Sequence, residues 1–379
     1  MKAKSIKGKS AAEIALALTE SIADGFTPTL AIVFLSLGKD IKDVCTVLDA
    51  QGITIYGATT HGEFIDEEIG KETIAILLLD IHRDYFTVML EEFPEKNYRE
   101  VTQQMAKKAI AKFTTPAFLI AASHMETDAE LLLFGFEDIV GKQVNVYGGM
   151  AGDNTTFTEQ FVFTNGQSSN RGIVAVVLDE EKIKIKGVAT CGWKAMGTEK
   201  TVTRSEGNRL YTIDHVPVLE LTKKFSGIEN LSRENNDVAI EIATNFPLQL
   251  QREKGAPVMR PGLLINWEDG SFVCSGSVPQ GGKVRFSLPP DFDVIDKVIE
   301  GVEKLKATEM PDADAMIVYS CAGRLMSMGP LMSTEIEGVK KVWNVPMAGF
   351  FSNAELARAT EGNLEMHNLT TCCVALKEK

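Results

Sequence analysis

Ile53 to Glu63 read I-T-I-Y-G-A-T-T-H-G-E. A short apolar run of β-forming residues delivers a loop holding two glycines, two threonines, a histidine and a carboxylate, as expected where a buried strand leaves its sheet. Upstream lies a second apolar run, L-A-I-V-F-L-S from Leu30 to Ser36, and between the two Ile41, Val44, Val47 and Leu48 recur at helical spacing. The order is strand, helix, strand, glycine loop.

That order returns from Ala117. A-F-L-I-A-A-S runs to Ser123, a helical pattern spans Thr127 to Val140, and V-N-V-Y delivers G-G-M-A-G-D-N, Gly148 to Asn154. It returns again near the C-terminus, where A-M-I-V-Y-S (Ala315 to Ser320) is followed by C-A-G-R, a segment around Leu331 to Val339, and K-V-W-N-V-P-M delivering A-G-F-F-S-N-A-E, Ala348 to Glu355. Gly57, Thr60, Gly62 and Glu63 align without gaps on Gly349, Ser352, Ala354 and Glu355, while the middle copy is one residue shorter and ends in Gly152 and Asp153. Each first strand ends in a serine: Ser36, Ser123 and Ser320. Repetition of this kind predicts one architectural unit used repeatedly, with its loops converging on a shared surface. The competing reading is that any buried strand needs a glycine turn and a polar exit.

Outside the units, Ser10 and Glu13 read as a capping box for a helix carrying Ile14, Leu18 and Ile22 and stopped by Gly25. Thr73 to Asp80 and Phe86 to Glu92 flank the turn H-R-D-Y, and Gln160 to Thr164, Gly172 to Leu178 and Lys182 to Thr190 follow as further strands. Such short connections predict antiparallel neighbours. Past Tyr211 come a helix (Pro217 to Phe225), a polar linker (Ser232 to Asp237) and strands at Gly270 to Gly276 and Lys283 to Ser287. The expected fold is a two-domain α/β protein with mixed, largely antiparallel sheets and helices packed on their faces, divided as residues 1–214 and 215–379.

The 379 residues hold 39 basic against 52 acidic side chains, a net charge of -13, which leaves no electrostatic footprint for nucleic acid or an anionic membrane. The six cysteines (Cys45, Cys191, Cys274, Cys321, Cys372, Cys373) form no C-x-x-C pair, so reduced thiols in a cytoplasmic protein are expected. The basic N-terminus is followed by an amphipathic helix pattern rather than a continuous apolar region, and the longest apolar run, Ile74 to Leu79, is too short to span a bilayer.

Chemistry is harder to locate. Cys321 beside Arg324 offers a thiolate enzyme with His61 or His367 as base; the alternative is a small core residue. The five histidines (His61, His82, His124, His215, His367) are dispersed in sequence, so a haem or metal site is neither assembled nor excluded. Glu63, Asp153 and Glu355 can hold an ammonium or cap the next backbone segment. Arg324, in a small and apolar setting, can grip a ligand carboxylate in two-point fashion or form a buried ion pair with an acidic loop residue.

Taken together, Gly57 to Glu63, Y-G-G-M-A-G-D-N, V-T-R-S-E-G-N-R-L-Y (Val202 to Tyr211) before P-V-L-E-L, V-Y-S-C-A-G-R, and G-F-F-S-N-A-E-L with M-H-N-L-T-T resemble the FIST domain family, in both its N-terminal and C-terminal regions. The resemblance runs from about Pro28 to Val374. It implies a bacterial sensory module that binds small ligands, with amino acids proposed, and that signals to a histidine kinase or other signalling protein without turnover. It also implies a runner-up, haem-based sensing of nitric oxide. Thr60-His61 and Asn353-Ala354 depart from the commoner pattern, which bears on pocket shape. The expected ligand pocket is lined by Gly57, Thr59, Thr60, His61 and Glu63, by Gly148, Gly149, Gly152, Asp153 and Asn154, by Ser320, Cys321 and Arg324, and by Gly349, Phe350, Ser352 and Glu355. No catalytic residue, metal or resident cofactor is expected.

Overall fold

Every position of Leu30–Ser36 is buried, because this strand is covered on both sides. Leu30, Ile32 and Phe34 face one apolar core and Ala31, Val33 and Leu35 another, so alternation vanishes and the strand is apolar up to its terminal serine. The computed structural model describes the chain apart from residues 125, 155 and 157 and the side chains of residues 239, 240, 243 and 244.

The first unit runs β1 (Lys2–Gly8), α1 (Ala11–Ile22), β2 (Leu30–Ser36), α2 (Ile41–Asp49), β3 (Thr54–Thr60), β4 (Glu63–Ile65), β5 (Glu68–Gly70) and β6 (Ile74–Asp80). The second repeats it as β7 (Phe86–Glu92), α3 (Tyr98–Lys112), β8 (Pro116–Ala122), α4 (Ala129–Val140), β9 (Val146–Met150), β10 (Val162–Thr164), β11 (Gln167–Ser169) and β12 (Gly172–Asp179). The third opens with β13 (Ile183–Thr190) and is then interrupted. The insertion comprises β14 (Ala195–Glu206), β15 (Arg209–Ile213), β16 (Val216–Pro217), α5 (Val218–Ser226), α6 (Asn236–Asn245), β17 (Leu248–Leu250), β18 (Val258–Arg260), β19 (Gly262–Asn266), β20 (Ser271–Cys274) and β21 (Lys283–Ser287). The unit resumes with α7 (Asp293–Thr308), β22 (Ala315–Cys321), α8 (Ala322–Met328), α9 (Met332–Trp343), β23 (Met347–Ser352), β24 (Glu355–Arg358), β25 (Leu364–His367) and β26 (Thr371–Glu378).

Three six-stranded sheets result, ordered β1-β6-β2-β3-β10-β11, β7-β12-β8-β9-β24-β25 and β13-β26-β22-β23-β4-β5. In each, only the two strands joined by the central helices are parallel: β2 with β3, β8 with β9, β22 with β23. The outer hairpin of each sheet comes from a different unit. The first unit lends β4-β5 to the third, the second lends β10-β11 to the first, and the third lends β24-β25 to the second. The exchange is cyclic. The inward faces share one core, with Phe34, Tyr56, Leu119, Val176, Tyr319 and Phe350 among its members, and the Tyr56 and Tyr319 hydroxyls meet at 3.1 Å. Outward faces are covered by α1 and α2, by α3 and α4, and by α7 and α9. The inserted strands form a separate eight-stranded sheet with its own core around Val202, Leu210, Phe272 and Phe286.

The α/β class with mixed, mainly antiparallel sheets is as expected. The expected hairpins between neighbouring strands are not. β6 is already flanked by β1 and β2, and β12 by β7 and β8. Neither has a free edge, so the short links after them pass to the edge strand of the next sheet. The N-terminal lysines lie in a strand that the sequence reading left without structure, with Lys2 and Lys7 exposed on an edge, where charge discourages pairing with other chains. Ser232 to Asp237 is no linker but a 3₁₀ turn, Arg233–Asn235, running into α6. Residue 214 sits in the turn between β15 and β16, and both sides of the expected 1–214 and 215–379 division contribute strands to the third sheet.

Candidate functional site

The repeated glycines mark the joints of the hairpin exchange. Gly57 pairs with Phe163, Gly349 with Phe64, and Gly148 with Leu356, each partner coming from the borrowed hairpin. A Cβ on Gly57 would lie 2.1 Å from the Phe163 ring, and one on Gly349 2.3 Å from the Phe64 ring. At these two positions glycine is needed because a large side chain lies across the strand at that height, whereas at Gly148 a Cβ would lie 2.0 Å from the Ile120 carbonyl oxygen.

Beyond these joints the three loops do converge, onto one another. The Gly152 N–H donates to the Thr59 carbonyl at 2.8 Å, and the Thr59 hydroxyl donates back to the Gly152 carbonyl at 2.7 Å. The Asn154 N–H donates to the Thr60 carbonyl at 3.0 Å, and the His61 N–H to the Phe351 carbonyl at 3.1 Å. His61 Nε2 meets Asn353 Oδ1 at 2.7 Å, and Asn353 Nδ2 donates to the Ala151 carbonyl at 2.7 Å. Thr59, Thr60, His61, Asp153 and Ser352 are buried, as are Gly148, Gly149 and Phe350 on their strands. The expectation of one pocket ringed by three loops becomes a packed hub in which the loops satisfy each other. Burial holds the His61 imidazolium in disfavour, lowering its pKa against the opposing influence of Asn353 and Asp153.

The three loop carboxylates differ. Glu63 accepts from the Ser36 hydroxyl at 3.0 Å, the Thr60 hydroxyl at 2.6 Å and the Thr73 N–H at 2.8 Å, capping the start of β6. Burial still raises its pKa against those donors. Asp153, read from sequence as the middle counterpart, is not equivalent: the register puts Val162 opposite Ala58, one residue before the Phe163 and Gly57 pair. An eleven-residue connection, residues 151–161, separates β9 from β10, and Asp153 binds within it, accepting from Glu159 N–H at 3.1 Å and Gln160 Nε2 at 2.9 Å.

Glu355, in the third unit, is the true counterpart of Glu63. Its Oε1 accepts from the Ser352 hydroxyl at 2.7 Å, while Oε2 is buried without a hydrogen bond of good geometry, although the Thr370 N–H and the Cys321 thiol lie beside the carboxyl. Ser320, which aligns with Ser36, is turned to the Thr371 hydroxyl at 3.1 Å instead. Burial pushes the Glu355 carboxyl well above the usual carboxylate range, opposed by the Ser352 hydroxyl, the Thr370 N–H and the Arg324 charge.

Arg324, at the start of α8, is wholly buried. The carboxylate it grips is that of Glu335, on α9 rather than on a loop, and its Nη1 donates to the carbonyls of Cys191 at 2.7 Å and Leu369 at 3.0 Å. The guanidinium lies 5.2 Å over the Trp193 ring. Two donors remain: Arg324 Nε and Trp193 Nε1 are buried without partners. Glu355, Arg324 and Trp193 thus gather an unused acceptor and two unused donors at the carboxyl ends of the parallel strands β22 and β23, where the inserted sheet joins the third unit. Unpaired buried polar atoms cost about 1 to 3 kcal/mol each, so their concentration in one cluster is chemically informative.

The Cys321 thiol lies beside Glu355, and its pKa is raised far above the ordinary value by burial and by that carboxyl. It is held protonated, the opposite of an activated nucleophile. His367, the base proposed for it, instead bonds the Ala357 carbonyl at 3.1 Å through Nε2 and is pushed down to about 4 by burial.

Family models match the chain almost end to end: the FIST N domain over residues 29–216 and the FIST C domain over residues 224–358. The chain belongs to the FIST family. FIST domains are sensory and signal-transduction domains. Curated proteins offer no match. The FIST N match ends and the FIST C match begins within the inserted sheet, around β16 and α5, so the two FIST regions meet inside the third unit. No helix among the described residues is long and apolar enough to cross a membrane, and no cluster of metal-ligating side chains occurs among them.

The sequence singles out Glu355 and Arg324 of this cluster but not Trp193 or Glu335. Glu335 had a signal: it is a lone carboxylate within the buried stripe Met332, Ile336 and Val339 of α9. Trp193 had none, since the chain leaves β13 there for the insertion.

Proposed function

We propose that this FIST protein is a non-catalytic cytoplasmic sensor that binds an amino acid or a similar small polar metabolite at the Glu355, Arg324 and Trp193 cluster. The observation that carries this reading is the unused hydrogen-bonding capacity of that cluster, an acceptor on Glu355 and donors on Arg324 and Trp193. A zwitterion presents the complement, an ammonium for Glu355 and a carboxylate for the two N–H groups. The protonated Cys321 thiol favours binding over turnover. The cluster lies where the inserted sheet meets the third unit, so occupancy would change the footing of that sheet and offer a separate partner, such as a histidine kinase, an altered surface.

Calorimetric titration of the twenty amino acids and a panel of organic acids tests this. At least one should bind and raise the melting temperature. Its affinity should fall at least ten-fold in Glu355→Gln and in Trp193→Phe, which keeps the ring but removes the N–H. Because burial raises the Glu355 carboxyl's pKa well above the usual range, pairing it with an ammonium favours loss of its proton, and affinity should rise with pH. A panel that neither binds nor stabilises would refute the reading.

A further inference from the structure

The cyclic architecture allows each unit to serve as a control for the others. In every sheet the borrowed hairpin lies beside the helix that links the two parallel strands, and in two of them apolar side chains fill the space between. In the second sheet Leu132, Leu133 and Phe136 of α4 cluster with Leu356, Leu364 and Met366 of β24 and β25. In the third, Met332 and Ile336 of α9 cluster with Phe64 of β4, and Ile69 of β5 packs against them. In the first sheet Phe163 of β10 fills the inner part of that space, clustering with Val44, Cys45 and Leu48 of α2, and only the outer part departs from the pattern. There the outer hairpin strand, β11, reads Gln167-Ser168-Ser169, and α2 has only nine residues. Between them the space stays open as a cavity of about 600 Å³.

We infer that this cavity is a second ligand site, distinct from the Glu355 cluster, and that its ligand is a small organic acid with an apolar body. Leu37, Ile41, Cys45 and Phe161 supply an apolar wall. The rim carries four charges: Lys39, Asp40, Lys42 and Asp49. Both carboxylates are engaged. Asp40 accepts from the N–H groups of Lys42 at 2.9 Å and Asp43 at 3.2 Å as the α2 cap, and Asp49 accepts from Asn165 Nδ2 at 2.7 Å. Neither lysine has a carboxylate in salt-bridge range among the described residues. The four charges sum to zero, but the hydrogen-bonding capacity left over belongs to the two ammonium groups, while the α2 amides are already capped and add no anion site. Hydroxyl and amide groups of Ser168 and Gln167 complete the opposite rim. A volume of this size lies within the range of small-molecule pockets.

Hexanoate and benzoate serve as probes, with hexan-1-ol and benzamide as their neutral counterparts, titrated calorimetrically into the full chain. At least one acid should bind saturably at one site, with its neutral counterpart at least ten-fold weaker. Lys39→Gln combined with Lys42→Gln should weaken the acid at least ten-fold; both side chains reach solvent at the rim, so the fold is retained. Ser168→Phe, at an exposed position, fills the cavity from the hairpin side and should abolish binding with an unchanged melting temperature. Glu355→Gln should leave acid binding intact, which separates this site from the one proposed above. Failure of both acids to bind, acid and neutral probes binding alike, or binding that follows Glu355 rather than the lysines would each overturn the inference.

Discussion

Replacing Gly57 by alanine tests the reason for the repeated glycines. The new Cβ would lie 2.1, 2.3 and 2.5 Å from three atoms of the Phe163 ring, whereas carbon atoms at rest sit about 3.5 to 4.0 Å apart. The ring must therefore move by more than 1 Å, roughly, relative to the strand, and Phe163 is fully buried beside Val44, Cys45 and Leu48. Overpacking of this kind costs about 1 to 3 kcal/mol, and three close atoms argue for the upper end. Alanine recovers roughly 0.4 to 1 kcal/mol by restricting the unfolded chain, leaving a net loss of about 2 kcal/mol. Urea denaturation followed by circular dichroism measures it. In a double-mutant cycle with Phe163→Leu, which removes the ring edge, the two losses should be less than additive by about 1 kcal/mol or more. A loss below roughly 0.5 kcal/mol, or full additivity, refutes the packing explanation. Had Gly57 been kept for a ligand, stability would hold and only affinity would change.

Other outcomes follow from the buried polar groups. Arg324→Lys keeps the charge opposite Glu335 but loses the fork that also holds the Cys191 and Leu369 carbonyls, so ligand-free stability should drop by about 1 to 3 kcal/mol in denaturant titration. His367 is buried and its pKa is lowered to about 4; the unfolded chain takes up a proton near pH 6.5, so stability should fall from pH 6.5 toward pH 4, by about 3 kcal/mol from this residue. His367→Gln should remove this residue's share of the slope, whatever its baseline stability, leaving the contributions of His61 and the buried carboxyls. Protein expressed with ample haem should be isolated without a near-stoichiometric Soret band; such a band would promote haem-based sensing over the metabolite reading.

The sequence determined the repeating strand, helix, strand and glycine loop, the serine at each first strand's end and the convergence of the three loops. These are legible because they are local: period-3.6 faces, turn residues and continuous apolar runs such as Leu30 to Leu35, covered on both faces, are written in consecutive positions. Arg324 was legible as a charge in a small, apolar setting, and Glu355 as the carboxylate that ends a repeated loop. Pairing was not. Whether Thr73 to Asp80 pairs with the next strand or with β1 and β2 depends on which edges are already occupied, and that is decided by the whole chain. The same holds for Glu63 and Glu355, which occupy aligned positions of two repeated loops. One is saturated by Ser36, Thr60 and Thr73, the other is left with a free oxygen because Ser320 turns to Thr371 and the inserted sheet brings Trp193 against Arg324. Local sequence chose the residues, and the cyclic exchange of hairpins, which sets contacts between residues hundreds of positions apart, chose what each of them meets.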